Sequence, residues 1–423
     1  MKRPNRLPLL SAVVVLAATM GLAACGDDGG GGGSSFDLKV GDIVPLTGDL
    51  SPYGPPGRKA ADLAISEIKK GIKQAGVDET VTIQHEDEET NPQAAVSAAR
   101  KLADTGVSCM AAAYASADTI PVAKSVSIRD QIVQISPAST AASIADLDDD
   151  GYMNRTAPPD SLQAKALADH VNEELGGKGK TVNVAARNDF YGSGLANSFA
   201  EEWSARGGKV GQKVLYDPEQ PSYNSEAAKI VSGNPDAFVI VDFPETYAKV
   251  GPALVRTGKW DVKKTFITDG LADTELPSSV GAGATEGLRG TTVGTFTGPT
   301  QDAFDKLYRS TPGPKRQTFD AQNFDAVMPC YLAAVAAGSA DADKIKDELR
   351  AVSGPPGPKY TFQQLPQAIK DLKDGNDIDY EGASGPIDLD DKGDLGKYVY
   401  SVIRFTNGKL ETVKKVTPTA SEK

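Results

Sequence analysis

Histidine is nearly missing from this chain: only His85 and His170 occur in 423 residues. Neither stands in a metal-ligand or nucleophile pattern. Neither G-x-S-x-G nor H-E-x-x-H occurs, so the chemistries those motifs serve have no carrier and no enzyme is expected. Cysteine is as scarce, with single residues at 25, 109 and 330, too few for a disulfide scaffold. Positive charge is also in deficit. Lys and Arg number 45 against 57 Asp and Glu, a net charge of −12, which argues against nucleic acid as a partner. No apolar run reaches the ~20 residues that a membrane-spanning helix needs.

The most apolar run lies near the start. Lys2, Arg3 and Arg6 precede an uncharged, mostly apolar stretch from Leu9 to Ala24. Polar, glycine-rich sequence follows it, so residues 1–24 read as a cleaved export signal. Leu22-Ala23-Ala24-Cys25 resembles the bacterial lipobox, in which the signal is cut before the Cys and its sulfur carries diacylglycerol. Acyl chains there would anchor the protein stably, at ~0.8 kcal/mol per buried CH₂. Residues 25–35 then form the lipidated Cys25 and a flexible tether; its Gly/Ser-rich sequence cannot bury apolar area and reaches ~17 Å on average. Losing the signal's three cations takes the net charge from −12 to −15. The expected location is extracytoplasmic, lipid-anchored to the cell membrane.

Beyond the tether, apolar β-type runs alternate with helical patterns. Strands are predicted at 38–46, 81–85, 107–113 and 132–135, with helices at 56–72, 92–103 and 120–129 between them. This βαβα rhythm predicts a parallel sheet covered by helices. It restarts after Arg155-Thr156-Ala157: helices at 161–175, 194–206, 224–231 and 244–257 alternate with strands at 181–186, 210–216, 236–241 and 265–268. Two successive α/β units predict two similar lobes. Further on, 319–337 and 343–352 read as helices. Residues 385–389 and 398–405, around a turn at Asp391-Lys392-Gly393, read as a β-hairpin. Asn407-Gly408 marks one more turn.

Seven landmarks stand in order along this framework: Val44-Pro45-Leu46-Thr47-Gly48, then Tyr53-Gly54, then Thr90-Asn91-Pro92-Gln93-Ala94-Ala95-Val96. Ile135-Ser136-Pro137-Ala138-Ser139-Thr140 and Arg155-Thr156-Ala157-Pro158 follow, then Asp189-Phe190-Tyr191-Gly192-Ser193-Gly194, and finally Asp391-Lys392-Gly393-Asp394. Together they resemble the type I periplasmic-binding fold, specifically the leucine/isoleucine/valine-binding family of ABC transporter receptors. The resemblance implies an α/β protein of two Rossmann-like lobes with parallel-rich sheets. Three crossovers, near Ala157, Val293 and Tyr400, would join them. Lobe 1 would be 36–157 plus 294–399, lobe 2 would be 158–293 plus 400–423, and the ligand would lie in the cleft between. It further implies an amino acid or similar small zwitterion as ligand, the membrane permease of an ABC importer as partner, no cofactor, and a monomer. A sensory receptor of the same fold, or a carrier of a urea, amide or aromatic acid, stays open as an alternative.

In open α/β sheets the carboxyl ends of the strands face the binding crevice, and helix N-termini there favour anions. Tyr114 to Asp118 and Ser136 to Ser143 both follow strands and offer hydroxyls and backbone N–H groups. By the resemblance, Ser116, Ala138 and Thr140 hold an amino acid's carboxylate and ammonium, with Tyr114 and Ser139 alongside. Tyr53 would line the wall of lobe 1. Lobe 2 would contribute Tyr191, Asp242, Phe243 and Asp269, the last pairing with the ligand ammonium.

Three look-alikes are set aside. Gly176-Gly-Lys-Gly-Lys-Thr181 precedes a strand and lacks the first glycine of a phosphate loop. Gly192-Ser-Gly-Leu-Ala-Asn197 lacks the third glycine of a dinucleotide fingerprint. Asp146 to Gly151 begins like a calcium loop but has Ala157 where the closing Glu belongs. Metal is therefore not expected, and Glu86 to Glu89 reads as a solvated strand end. Cys109, in an apolar strand, and Cys330, on an apolar helix face, are expected as buried thiols. Replacing Cys25 is the direct check on anchoring: Cys25→Ser is expected to release the protein from the membrane fraction or block its processing, and unchanged fractionation and cleavage would refute the assignment.

Overall fold

The computed structural model describes residues 35–418. The expected export signal, Cys25 and all of the expected tether but Ser35 lie outside the described residues, as do 419–423. The first sheet is built from β1 (Asp37–Val44), β2 (Thr80–Asp87), β3 (Cys109–Ala111), β4 (Val133–Ser136) and β5 (Met153–Arg155), in the order β2-β1-β3-β4-β5. Every neighbouring pair is parallel. Helices α1 (Gly54–Ala75), α2 (Pro92–Asp104) and α3 (Ser116–Val122) make the crossovers between the first strands. Helix α1 opens with two prolines in its first turn, where a missing N–H costs nothing. Helix α2 opens on Asn91, whose side chain accepts from the N–H groups of Gln93 and Ala94, a standard N-cap.

The second sheet has seven strands: β6 (Thr181–Arg187), β7 (Lys209–Tyr216), β8 (Ala237–Val241), β9 (Thr265–Ile267), β10 (Arg289–Val293), β13 (Tyr400–Thr406) and β14 (Lys409–Val416). The order is β14-β13-β10-β9-β8-β6-β7. The pairings from β7 to β10 are parallel, while β13 runs antiparallel to both β10 and β14. Helix α4 (Asp160–Leu175) leads into this sheet from β5, and α5 (Phe190–Ala205), α6 (Asn224–Ile230) and α7 (Pro244–Arg256) connect its parallel strands. The short helices α8 (Leu276–Val280) and α9 (Ala282–Thr285) precede β10.

Between β10 and β13 the chain returns to the first lobe. Helices α10 (Pro299–Ser310), α11 (Asp320–Ala337), α12 (Ala342–Ser353) and α13 (Leu365–Lys373) lie there, with a two-stranded parallel ribbon of β11 (Lys359–Thr361) and β12 (Asp379–Glu381). α11 packs on α1, α12 and α13. Its residues 321–335 are buried throughout, so it is the central helix of that lobe's core, among residues as far apart as Leu38 and Leu395.

Three sequence expectations need correction. The hairpin expected between 385–389 and 398–405 does not form; only an isolated bridge joins Leu389 to Leu395. The hairpin is instead β13 with β14, turning at Asn407-Gly408. Glu88 is not a solvated strand end but fully buried. The two buried cysteines are not free thiols: Cys109 on β3 and Cys330 on α11 form a disulfide, with Cα atoms 5.9 Å apart. Helix pattern and strand pattern each placed one Cys inward, but nothing local shows that two inward positions 221 residues apart in sequence face each other.

Two landmarks meet in this lobe. Arg155 is wholly buried and binds Asp394 with its guanidinium, Nη2 to Oδ2 at 2.8 Å. Its backbone N–H donates to the carbonyl of Gly393 at 2.9 Å.

The disulfide and a histidine give two tests. Thiol titration of unfolded, unreduced protein should find neither Cys109 nor Cys330 free, and Cys330→Ala should lower stability by about 2–5 kcal/mol. His85 lies between Asp42, with Nδ1 to Oδ2 at 2.7 Å, and Asp62, with Nε2 to Oδ1 at 3.0 Å. Burial opposes its charge, but the hydrogen bonds to the two carboxylates win and lift its pKa to about 9. A base raised in the folded state contributes fully below its ordinary pKa of 6.5 and is lost as pH rises through about 9. Chemical denaturation from pH 6 to 10 should therefore show an alkaline loss of stability that His85→Gln abolishes.

Candidate functional site

Each sheet reverses its building direction once. In the first, β2 and β3 flank β1 on opposite sides; in the second, β7 and β8 flank β6. Ligands of open α/β sheets bind outside the carboxyl ends of strands at such switch points. The loops leaving β1, β3, β4, β6, β8 and β9 supply most of one cavity. Its wall is Leu50, Tyr53, Tyr114, Ser116, Ala138, Thr140, Tyr191, Phe243, Asp269, Gly270 and Phe319, around about 290 Å³ of empty space. Little of that space is wider than a water molecule.

Eight residues named from sequence line this cavity: Tyr53, Tyr114, Ser116, Ala138, Thr140, Tyr191, Phe243 and Asp269. Ser139 and Asp242 do not. The Ser139 hydroxyl turns back onto the carbonyls of Ala113 and Tyr114, at 3.2 and 3.0 Å, and onto the Thr119 hydroxyl at 2.6 Å. It braces the loop behind the wall. Asp242 is buried and accepts from the N–H of Phe243 at 2.9 Å, so it orients the loop that presents that ring.

Sequence reasoning missed Leu50, Gly270 and Phe319. Gly270 is a matter of room: a Cβ there would lie 2.5 Å from the Asp242 carbonyl oxygen and 3.0 Å from the Tyr191 hydroxyl. Phe319 has left-handed backbone, φ 72°, which a bulky residue adopts at a cost of about 1–3 kcal/mol and which clusters at ligand sites. Its ring meets Tyr53 edge-on at 5.9 Å. No periodic pattern signals such positions.

The lobe-1 wall rests on Glu88. Its carboxylate accepts from the N–H groups of Tyr114 at 2.7 Å and Ala115 at 3.2 Å. Burial pushes its pKa well up, helped by the nearby Asp118. The Tyr114 ring closes against Gly57, where a Cβ would lie 1.8 Å from the phenol oxygen. Ser116 Oγ accepts from the Ala141 N–H at 3.1 Å, which leaves its own proton free to donate.

The lobe-2 wall is acidic and aromatic. Asp269 is buried, and burial raises its pKa to about 6 even though the Tyr191 hydroxyl donates to its Oδ1 at 2.8 Å. Asp160, at the start of α4, is buried as well; desolvation and the charge of Asp269 push its pKa well up. Of these two acids only Asp269 lines the cavity, where a carboxylate favours a cation. Tyr191 stacks on Phe243 at 5.2 Å and 16°. The Tyr53 hydroxyl donates across the cleft to the carbonyl of Gly270 at 3.2 Å, so the two lobes meet around the cavity.

This arrangement was compared with known proteins. The family model described as periplasmic binding protein matches residues 37–372. The chain belongs to that family. Periplasmic binding proteins are a class of substrate-binding proteins that work outside the cytoplasm. Over 419 residues this member is 27% identical to the Leu/Ile/Val-binding protein homolog 3 of Brucella melitensis, covering 96% of this chain and 98% of the relative. It is 26% identical to the chemotactic signal transduction system substrate-binding protein BasB of Halobacterium salinarum, over 83% of each chain. In fold it is similar to LivJ of Streptococcus pneumoniae, a branched-chain amino acid transporter substrate-binding protein solved in complex with isoleucine. That likeness has a TM-score of 0.74 at 21% identity, over 90% of this chain and 100% of LivJ. Among the described residues, no helix of this family member is long and apolar enough to cross a membrane. No group of three or more His, Cys, Asp or Glu among them is placed to hold a metal.

Proposed function

We propose that this periplasmic binding protein captures a branched-chain or similar aliphatic amino acid by lobe closure and presents it to the permease of an ABC importer. The carrying observation is the opposition of chemistry across one cavity. Hydroxyl and N–H donors at Ser116 and Thr140 stand on the first lobe, and the acid Asp269 stands on the second. A carboxylate suits the first side and an ammonium the second. Leu50, Tyr53, Phe243 and Phe319 leave an apolar space between, which suits an uncharged aliphatic side chain. The isoleucine bound to LivJ and the name of the Brucella relative support that choice of ligand. Capture without chemical change fits this wall, and we assign the chain no catalysis.

The same reading makes residues 1–24 the export signal, Cys25 the lipidated residue, 25–35 the tether, and the mature protein a monomer anchored to the membrane. We divide the body into 36–157 plus 294–399 and 158–293 plus 400–423. BasB of Halobacterium serves chemotactic signalling, so a sensory partner is the second reading; uptake of labelled amino acid by cells lacking this protein separates the two.

Calorimetric titration with leucine, isoleucine and valine tests the ligand. Removing one partner of a buried charge pair costs ~2–5 kcal/mol, so Asp269→Ala should weaken binding at least about tenfold, at ~1.4 kcal/mol per decade. Asp269 must be ionised to hold an ammonium, and its pKa stands at about 6. Affinity should therefore rise as pH passes from 5 to 7 and level off above. Wild-type affinity in Asp269→Ala, or a pH-independent affinity, would exclude the ammonium pairing.

A further inference from the structure

Beside the cavity, one guanidinium joins the lobes. Arg187 ends β6 on the second lobe and is almost fully buried. Its Nε pairs with Asp189, which also caps α5 by accepting from the Gly192 N–H at 2.8 Å. Its Nη1 lies 3.9 Å from Asp242. Both carboxylates belong to the second lobe, so the charge of Arg187 is already compensated there. Its third carboxylate comes from the other side: Nη1 donates to Asp49 Oδ2 at 3.1 Å. Asp49 lies on the β1–α1 loop of the first lobe, next to Leu50 of the cavity wall. The same Asp49 oxygen accepts from the Thr246 hydroxyl at 2.8 Å, and its carbonyl accepts from the Glu245 N–H at 3.4 Å. The first lobe's loop thus seats on the start of α7.

Arg187 is also stacked. Its guanidinium carbon lies 3.8 Å from the centre of the Phe243 ring, within cation–π range. Phe243 in turn stacks on Tyr191, and Tyr191 holds Asp269. A contiguous chain of contacts runs from the acid of the cavity to the mouth of the cleft: Asp269, Tyr191, Phe243, Arg187, Asp49. The first four belong to one lobe; Asp49 is the one member from the other. Its side chain is 26% exposed, against 4% for Arg187, so it hydrates readily when the lobes part.

We propose that Arg187 is the positioning residue of lobe closure, a latch that seizes Asp49 once ligand has drawn the lobes together. This rests on the ligand reading above. Latching acts after encounter, so it slows release and leaves capture unchanged.

Asp49→Ala is the clean variant, because Asp189 and Asp242 remain to compensate Arg187. Dissociation of radiolabelled isoleucine, measured by chase, should be about tenfold faster than in wild type, with the association rate within about twofold. Asp49→Glu should restore slow release, and the ligand-free melting temperature should stay put. Release at the wild-type rate would overturn the latch while leaving the ligand assignment standing; so would a lower melting temperature with unchanged release, the mark of a merely structural contact. If the wild type binds no amino acid, the ligand reading fails. The latch then falls with it, because it closes only over bound ligand.

Discussion

The buried fork of Arg155 is the constraint on which the first lobe's half of the site depends. One guanidinium reaches Asp394 near the far end of the chain, the carbonyl of Ala141 at 2.9 Å and that of Ser139 at 3.4 Å. It therefore fixes the loop of Ala138 and Thr140 to both the last parallel strand and the returning C-terminal segment. The neighbouring Thr156 hydroxyl donates to the Gln322 carbonyl at 2.8 Å, which locks the same corner to α11. A fully buried cation is costly unless every donor is used, and breaking such a pair costs about 3–5 kcal/mol because the survivor is left unpaired. Arg suits the place better than Lys, since its planar fork meets a carboxylate and two carbonyls at once.

Around the cavity the balance of charge is the reverse. Glu88, Asp118, Asp160, Asp242 and Asp269 are all buried. Burial raises the pKa of each, that of Asp242 to about 7 and that of Asp269 to about 6. Arg187 answers part of this excess, and backbone N–H groups answer Glu88. Arg155 answers part of the charge of Asp160, while Asp269 is met by hydroxyl, amide and backbone donors. A raised acid costs folding stability wherever it must ionise. The cavity stores that cost, and on the proposed reading a ligand ammonium relieves it. Perturbed acids gathered at one enclosed place are what a recognition site requires and what a merely stable core avoids.

Most of the sheets was readable because parallel strands buried on both faces leave short apolar runs, and their crossover helices carry a clear periodicity. Strand ends located the loops of Tyr114 to Asp118 and Ser136 to Ser143 for the same reason, while the family resemblance supplied the choice of Ser116, Thr140 and Asp269 and the one crevice they share with Tyr191. The unread parts depend on pairings made far along the chain. β10 is the five residues Arg289–Val293, and it is a strand because β9 and β13 flank it. β13 looked like the partner of 385–389, but its own alternation cannot say which neighbour it meets. Glu88 stands in a run of acids that looks like solvated surface, and its role exists only because the β3–α3 loop arrives above it. Ser139 and Asp242 lie at the right strand ends, yet side-chain direction, which no spacing encodes, sends each behind the wall.

The disulfide belongs to the same class of long-range fact, and its position bears on the site. Cys109 begins β3, the strand whose far end becomes the Tyr114–Ser116 loop, while Cys330 sits midway along the central helix of that lobe. Cross-linking two elements 221 residues apart in sequence restricts the unfolded chain strongly, since the entropy of a closed loop grows with its length. It also pins the base of a cavity-lining loop to the core. Asp269 and Gly270 stand on a single 3₁₀ turn after β9, held by hydroxyls of Tyr191 and Tyr53 and by no covalent tie. One wall of the cavity is thus fixed through Arg155 and the disulfide, and the other is held by hydrogen bonds and ring stacking. Weak directional contacts can reorder at small cost, so on the proposed reading the acidic wall answers the ligand, with the first lobe as the reference against which it closes.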